Sequence, residues 1–495
     1  MDTRHIPESV LHSLWQKLLL PATGLVTVDG KRVSVLHPGT PNSDSGPDFR
    51  DARIRIGGIT YRGDVEIHNT AQEWRDHHHA SNPHYNSVIL HVVLSDRGRD
   101  PLTHTSGRRS VPVVILSRFL DQSPHLFQPS AQGHASPIFC HDKNSRVPGL
   151  LIRKWLSVLA RERLEMKIHR LHERLKELAD EKSGRIGEPH ARYHGNPDEI
   201  PPPERCYTRT DFSPRGLWEQ LFYEGVFESL GYEQNADAFL RLAQSIRLSR
   251  LREYAGHDLH LRTSILFGAA GLLPSSRGLP EKESRMYVRS LRKTWRYWKP
   301  LLSVPLLHEG DWQFFRLRPS NFPTARLAAF CHVFPSLFGS DAFRCFIGIF
   351  QDDRAVVDLR LRRLAAIFRF TPEGFWRNHY HFRGSAGRTG VAIGHQRVHD
   401  IIINVMIPIA VLYSRIFVVP VVGANARRLM AHMPGREENR MIRIVEKQLV
   451  KGRFLLESAG LRQGAIQLYS LFCVAGRCSE CAVGQHALFP ENDSR

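Results

Sequence analysis

The sequence predicts an α+β protein: a mixed α/β N-terminal domain, then a large, mainly helical region ending in a cysteine cluster. Three observations carry this. Short apolar runs separated by turn dipeptides fill the first 120 residues. Helix-length apolar patterns dominate residues 215–470. Three of the seven cysteines crowd into the tail, residues 471–495.

Taken in order, residues 9–20 read as an amphipathic helix stopped by Pro21. Residues 25–28 and 32–36 flank Asp29-Gly30, and residues 52–56 and 59–68 flank Gly57-Gly58, so each pair reads as a hairpin. The His-rich stretch 70–80 is expected to be helical, and 87–94 and 111–116 to be buried strands. A connector and a long helix occupy 121–180, where Leu164, Ile168, Leu171, Leu175 and Leu178 form an a/d stripe expected to pack within the chain. Residues 181–214 are rich in Pro, Gly and charge and read as a linker or insertion. In the helical region, residues 265–273 carry small residues spaced for close helix contact. No Gly-x-x-x-x-Gly-Lys-[Ser/Thr] occurs, which argues against an intrinsic ATPase.

The chain has 495 residues, 42% of them hydrophobic, and 68 Lys+Arg against 49 Asp+Glu, a formal charge of +19. That composition excludes an acidic, disordered protein and points to a polyanionic partner, nucleic acid before membrane. The N-terminus lacks the apolar core of a secretory signal, and the longest apolar run, 401–413, is too short to span a bilayer. With few cysteines, a reducing cytoplasm is the expected compartment and no membrane association is expected.

The chemistry concentrates in residues 46–91. Asp64, Glu66 and His68 alternate with Val65 and Ile67, and period two sets the three polar side chains on one face of a strand. Asp48 stands in the loop entering the preceding strand. Carboxylates suit Mg²⁺ or Mn²⁺, so Asp48, Glu66 and Asp64 are candidate ligands, with an ion between Asp48 and Glu66 polarising a phosphodiester. An exposed sheet face is the alternative. His77 and His79 are candidates for phosphate contact or an outer metal shell. Arg316, Arg318 and Arg326 open a helix and form a candidate phosphate clamp, or else a buried brace at an elbow.

Cys473, Cys478 and Cys481 form C-x4-C-x2-C, a spacing that favours zinc or an iron–sulfur cluster over disulfides in the cytosol. Cys140 is one candidate fourth ligand and His486 the other; buried inert thiols are the alternative.

Pro47-Asp48, eighteen residues before Glu66-Ile67-His68, resembles the PD-(D/E)XK nuclease core, an αβββαβ fold. There an Asp on one strand and a Glu two residues before a Lys on the next form the catalytic site. The resemblance implies catalytic roles for Asp48, Glu66 and His68, with His68 where the superfamily has lysine. Nuclease families of this kind with one upstream and three C-terminal cluster-binding cysteines resemble the Cys arrangement, at a different spacing. The motifs GPDF, GDVEIH, W-x-x-H-x-H, VILHVV, RPSNFP and the Cys tail together resemble domain-of-unknown-function family 2851. The readings that follow are a metal-dependent nuclease-like protein acting on DNA or RNA, an inactive nucleic-acid-binding or scaffold protein on the same fold, or a metal-dependent hydrolase of a small substrate.

Overall fold

The computed structural model describes residues 11–12, 15, 25–42, 46–95, 103–120, 138–183, 206–302, 304, 306–315, 317–384, 386–387, 390–435, 439–474 and 476–488. The chain divides into two compact units: Met1–Pro137 with Val474–Gly476, and Ile138–Cys473 with Arg477–Arg495.

The first unit is built on one sheet. Strands β1 (Leu25–Val26) and β2 (Arg32–His37) form the expected hairpin about Asp29-Gly30. A short β3 (Thr40–Pro41) pairs with the start of β4 (Phe49–Ile56), and β4 turns at Gly57-Gly58 into β5 (Ile59–Thr70). Both glycines hold positive φ, a conformation that costs them nothing for want of a Cβ. β6 (Val88–Ser95) then joins β5 in parallel, and β9 (Val113–Ile115) joins β6 in parallel. The order is β1-β2-β4-β5-β6-β9, while β7 (Thr103–His104) and β8 (Ser110–Val111) form a separate two-stranded piece. A parallel pair needs a crossover. The β5–β6 crossover contains a one-turn helix, α1 (Glu73–Asp76), and the 3₁₀ turns His79–Ser81 and Pro83–Tyr85.

The centre of the sheet is buried on both faces. Val65 and Ile67 of β5 join Leu11, Trp15, Phe49, Ile54, Leu90 and Val92 in one apolar cluster. Glu66 and His68, on alternate positions of the same strand, are buried too. An exposed polar face is therefore not what the sequence alternation encodes.

Two irregularities lie beside this strand. The β4–β5 register slips between Phe49 and Ala52, where Asp51 adopts φ 59°. The β5–β6 register slips between Asp64 and Val65. Gly63 sits at the second slip, where an added Cβ would come within 2.5 Å of both the Ile89 side chain and the Ser87 carbonyl. Only glycine fits there.

The second unit is helical. Its long helix α2 (Gly149–Lys182) buries Leu164, Ile168, Leu171, Leu175 and Leu178, the stripe read from the sequence, against core that includes α3 (Arg215–Leu230). Residues 184–205, most of the expected insertion, lie outside the described residues. Gly268, in the small-residue stretch, lies so close to Trp295 that a Cβ would fall 2.2 Å from the indole. The apolar run at 401–413 belongs to a longer helix, His395–Phe417, which by length and composition could cross a membrane. This corrects the length inferred from the run alone, because helical residues on both sides extend it. Two-thirds of its apolar window (67%) is buried inside the protein.

A second core in this unit joins the beginning of α2 to the C-terminal segments. Ile138, Cys140, Ile152, Leu156 and Leu159 pack with Leu449, Leu461, Phe472, Cys481 and Val483. The close approach is at backbone level: a Cβ on Gly464 of α4 (Ala459–Leu468) would lie 2.0 Å from the Leu156 carbonyl oxygen.

Candidate functional site

The crossover between β5 and β6 passes over the sheet face that carries Glu66 and His68, and it supplies the rest of the site. His78 takes a left-handed conformation, φ 60°, between α1 and the following 3₁₀ turn. That reversal lets His77 and His79, two residues apart, both approach β5. One nitrogen each from His68, His77 and His79 lies within 4.8 Å of the other two. Beneath them the Glu66 carboxylate places Oε1 3.2 Å from His79 Nε2 and 3.5 Å from His68 Nε2.

Aromatic rings wall the cluster. His79 stacks on Tyr85 at 3.8 Å between centroids and meets Trp74 edge-on at 5.4 Å. Trp74 is itself held by an indole hydrogen bond to the His104 carbonyl, 3.0 Å. His68, His79 and Glu66 are all buried, and His77 is exposed at the mouth.

Behind His68 runs a relay. His68 Nδ1 is 3.0 Å from His91 Nε2, and His91 Nδ1 is 2.9 Å from the Thr103 hydroxyl. If His91 donates to Thr103, its Nε2 accepts from His68 Nδ1–H, and His68 Nε2 is left with a lone pair facing Glu66 and His79. A histidine fixed in one tautomer by a partner behind it is how proteins aim an imidazole at a metal.

The electrostatics agree with neutral rings. Burial, with the neighbouring His91, His79 and His77 adding to it, pushes His68 down to about 2. Burial pushes His91 down to about 3 and lowers His79. Tyr85 is pushed up to about 12 by burial and by the nearby carboxylates of Glu66 and Asp48. Among the described residues, neither ring nitrogen of buried His79 has a hydrogen-bond partner, since the 3.2 Å approach to Glu66 is out of alignment. A buried unsatisfied polar atom costs about 1–3 kcal/mol and calls for an explanation such as an absent ion.

Asp48 joins the cluster through Glu66. Its backbone N–H donates to Glu66 Oε2 (3.0 Å), and its Oδ2 accepts from Ile67 N–H (2.9 Å). His12 Nε2 lies 3.3 Å from the same oxygen. Asp64 is taken up elsewhere: Oδ1 accepts from the Asp51 N–H (3.0 Å) and Oδ2 from the Ser87 hydroxyl (2.5 Å). Both partners lie at the register slips, so Asp64 braces the bulges that Asp51 and Gly63 create.

The arginines divide. Arg316 lies outside the described residues, and Arg318 is exposed. Arg326 is buried and donates to the Tyr232 hydroxyl (2.8 Å), Asn321 Oδ1 (2.5 Å) and the Ala392 carbonyl (3.3 Å). It serves as the internal brace.

In the second unit Cys140, Cys473, Cys478 and Cys481 come together. The Cys473 thiol feels Cys481, Cys140 and Cys478, and Cys140 feels Cys478 and Cys481. His486 is exposed on α5 (Ala482–Leu488).

Sequence reasoning named Glu66, His68, His77 and His79 but read the two last as phosphate contacts or an outer metal shell, not as direct ligands. It gave no role to His12, Thr103 or Tyr85, for which spacing offers no signal.

No curated protein and no solved structure matches the chain. A family model described as "Protein of unknown function (DUF2851)" matches residues 8–186 and 211–440. The unmatched 187–210 falls inside the stretch read as an insertion, and the match ends ahead of the three tail cysteines. The chain therefore belongs to the DUF2851 family of proteins of unknown function.

Proposed function

We propose that this protein is a metal-dependent hydrolase of phosphodiesters, with its metal held by His68, His77 and His79. The observation that carries the reading is the convergence of these three imidazoles over a buried carboxylate. Imidazole donors suit zinc, iron and related ions, whereas Mg²⁺ and Mn²⁺ prefer oxygen. The donor set thus moves the expected ion away from magnesium; an ion between Asp48 and Glu66 is the second arrangement. When bound, the ion would act as a Lewis acid and acidify a water.

The chain's own groups have separate tasks. His91 and Thr103 fix the His68 ring through its Nδ1. Glu66 Oε1, beside His68 and His79, is placed to accept a proton from a water at the cluster. Its other oxygen is anchored by the Asp48 N–H, which holds the carboxylate in place. Exposed His77 leaves the mouth open to substrate. Asp48, held by Ile67 N–H and near His12, contributes negative charge.

Two features support phosphodiesters in DNA or RNA as the substrate class. One is the formal charge of +19. The other is the sequence of elements: helical residues Leu11, His12 and Trp15, the run β2, β4 and β5 of antiparallel neighbours, a crossover with α1, and parallel β6. Asp48 directly precedes β4 and Glu66 lies on β5, an order that supports the nuclease-like reading. His68 departs from that reading in charge. A ring pushed down to about 2 is neutral at pH 7 and cannot stand in for a lysine cation, but it can ligate.

The test pairs metal analysis with cleavage. Wild type, His77→Ala and Glu66→Gln are incubated with labelled single- and double-stranded DNA and RNA, with Zn²⁺, Mn²⁺ or Mg²⁺ and with EDTA. The reading expects a retained transition ion that His77→Ala loses. It also expects EDTA-sensitive cleavage that drops at least ~100-fold in Glu66→Gln, the usual scale for a lost general base. Cleavage that persists in EDTA or in Glu66→Gln refutes it. Binding of nucleic acid without cleavage under every condition moves the reading to an inactive nucleic-acid-binding protein.

A further inference from the structure

We infer that Cys140, Cys473, Cys478 and Cys481 together hold an iron–sulfur cluster that clasps the C-terminal tail to the start of α2. The first ground is convergence. Cys140 precedes α2, and the other three follow α4, yet the four sulfurs act on one another, with Cys140, Cys473 and Cys481 packed in one apolar core and Cys478 half-buried beside them. All four are free thiols.

The second ground is the surroundings of the sulfurs. The backbone N–H groups of Val483 and Gly484 and the indole of Trp155 each favour the charged form of Cys481, and the Asn144 side chain does so for Cys140. The buried Trp155 Nε1 has no aligned hydrogen-bond partner among the described residues. N–H groups aimed at sulfur match thiolates that carry charge, and such bonds tune cluster potentials. Gly484 permits the approach: a Cβ there would stand 2.4 Å from the Cys478 carbonyl oxygen. Donors facing sulfur, with Cys140 and Cys481 buried and Cys473 and Cys478 partly so, fit a set that a cation completes.

The third ground is spacing. Among the described residues no three of these sulfurs lie within 4.8 Å of one another. A single tetrahedral zinc with Zn–S of about 2.3 Å draws its sulfurs to roughly 3.8 Å apart. The wider set suits a polynuclear cluster, whose irons separate their terminal thiolates. Loading, from ferric and ferrous iron and sulfide supplied in solution in the proportion the cluster holds, forms an iron–sulfur bond at each cysteine and releases each thiol proton to solvent, with no net redox change.

The experiment uses the full chain, purified and reconstituted without oxygen, with iron, acid-labile sulfide and zinc measured and the iron examined by Mössbauer spectroscopy. Iron and sulfide in equal amounts, retained in Glu66→Gln and Cys206→Ser but lost in Cys140→Ser and Cys478→Ser, is the expected result. Retention in Glu66→Gln separates this centre from the histidine site. Zinc alone at one ion per chain, before and after reconstitution, overturns the proposal, as does a cluster unaffected by Cys140→Ser. Should Cys140→Ser fail to fold, the wild-type spectrum decides: uniform cysteinate ligation supports the four-thiolate set, and an iron site with a non-sulfur ligand overturns it.

Discussion

Acid should weaken the histidine site of the metal-free protein in a way two residues account for. His68 and His91 are hydrogen-bonded to each other and buried, with values pushed from 6.5 to about 2 and about 3. In the unfolded chain both take up a proton as pH falls through 6.5; in the folded chain neither does until pH is far lower. The unfolded state therefore binds more protons throughout this window, and stability falls as pH falls. At pH 7.5 the effect is negligible. At pH 5.0, 1.5 units below the unfolded value, each histidine costs about 2 kcal/mol at 1.36 kcal/mol per unit, so the pair costs about 4 kcal/mol. Any folded value well below 5 gives the same figure. The assay is hydrogen exchange of peptides from β5 and β6 in EDTA, across urea concentrations, at the two pH values. The reference is His68→Gln/His91→Gln, which removes both titrating groups. Wild type should lose about 4 kcal/mol more protection than the double variant. A difference near 2 would mean that the pair accepts one shared proton. Equal losses would refute the neutral, buried relay.

Two further substitutions separate structural from chemical roles. Asp64→Asn removes the charge that accepts from Asp51 N–H and Ser87 Oγ but keeps an acceptor; it should cost about 1 kcal/mol, read by thermal melting, and leave bound transition metal unchanged. Loss of the metal would instead place Asp64 among the ligands. Arg326→Lys breaks the fork to Tyr232, Asn321 and Ala392 and should cost about 3 kcal/mol, with the salt dependence of the proposed nucleic-acid binding unaltered. A shallower salt slope would restore Arg326 to the phosphate-contacting set.

What could be read from the sequence follows from the range of the forces involved. The hairpins at Asp29-Gly30 and Gly57-Gly58 and the strands beside them are local, set by turn conformation and period two. The stripe from Leu164 to Leu178 is likewise local. Glu66 and His68 could be named because they sit two apart on one strand. The rest required tertiary placement. His77 and His79 reach His68 only because His78 goes left-handed and the crossover folds down over the strand. His91 meets His68 because parallel pairing sets β6 beside β5, opposite Glu66 in register. Asp64 looked equivalent to Glu66 by alternation. The two register slips then gave it a backbone N–H and a hydroxyl to satisfy, and neither slip has a signature stronger than Gly63. Cys140 could be offered as a partner of the tail only by composition; the packing of α2 against α4 brings it there.

The placement of the imidazoles also bears on why a histidine serves at position 68. A lysine there would have to keep its charge in the space between His77, His79 and His91, where the burial that pushes His68 down to about 2 would oppose any cation. An imidazole escapes that cost by staying neutral, and its two nitrogens can be used at once: Nδ1 toward His91, Nε2 toward Glu66 and His79. The same burial that disqualifies it as a source of positive charge would make it, in the proposed metal site, a ligand that does not have to shed a proton at pH 5–7. Metal affinity should accordingly fall with acid by no more than two protons per ion, about 100-fold per pH unit, against the ~1,000-fold of three ordinary imidazoles below their shared value. A calorimetric titration of Zn²⁺ into the metal-free chain between pH 5 and 6 reads this slope directly, and a three-proton dependence would mean that His68 is charged before the metal arrives.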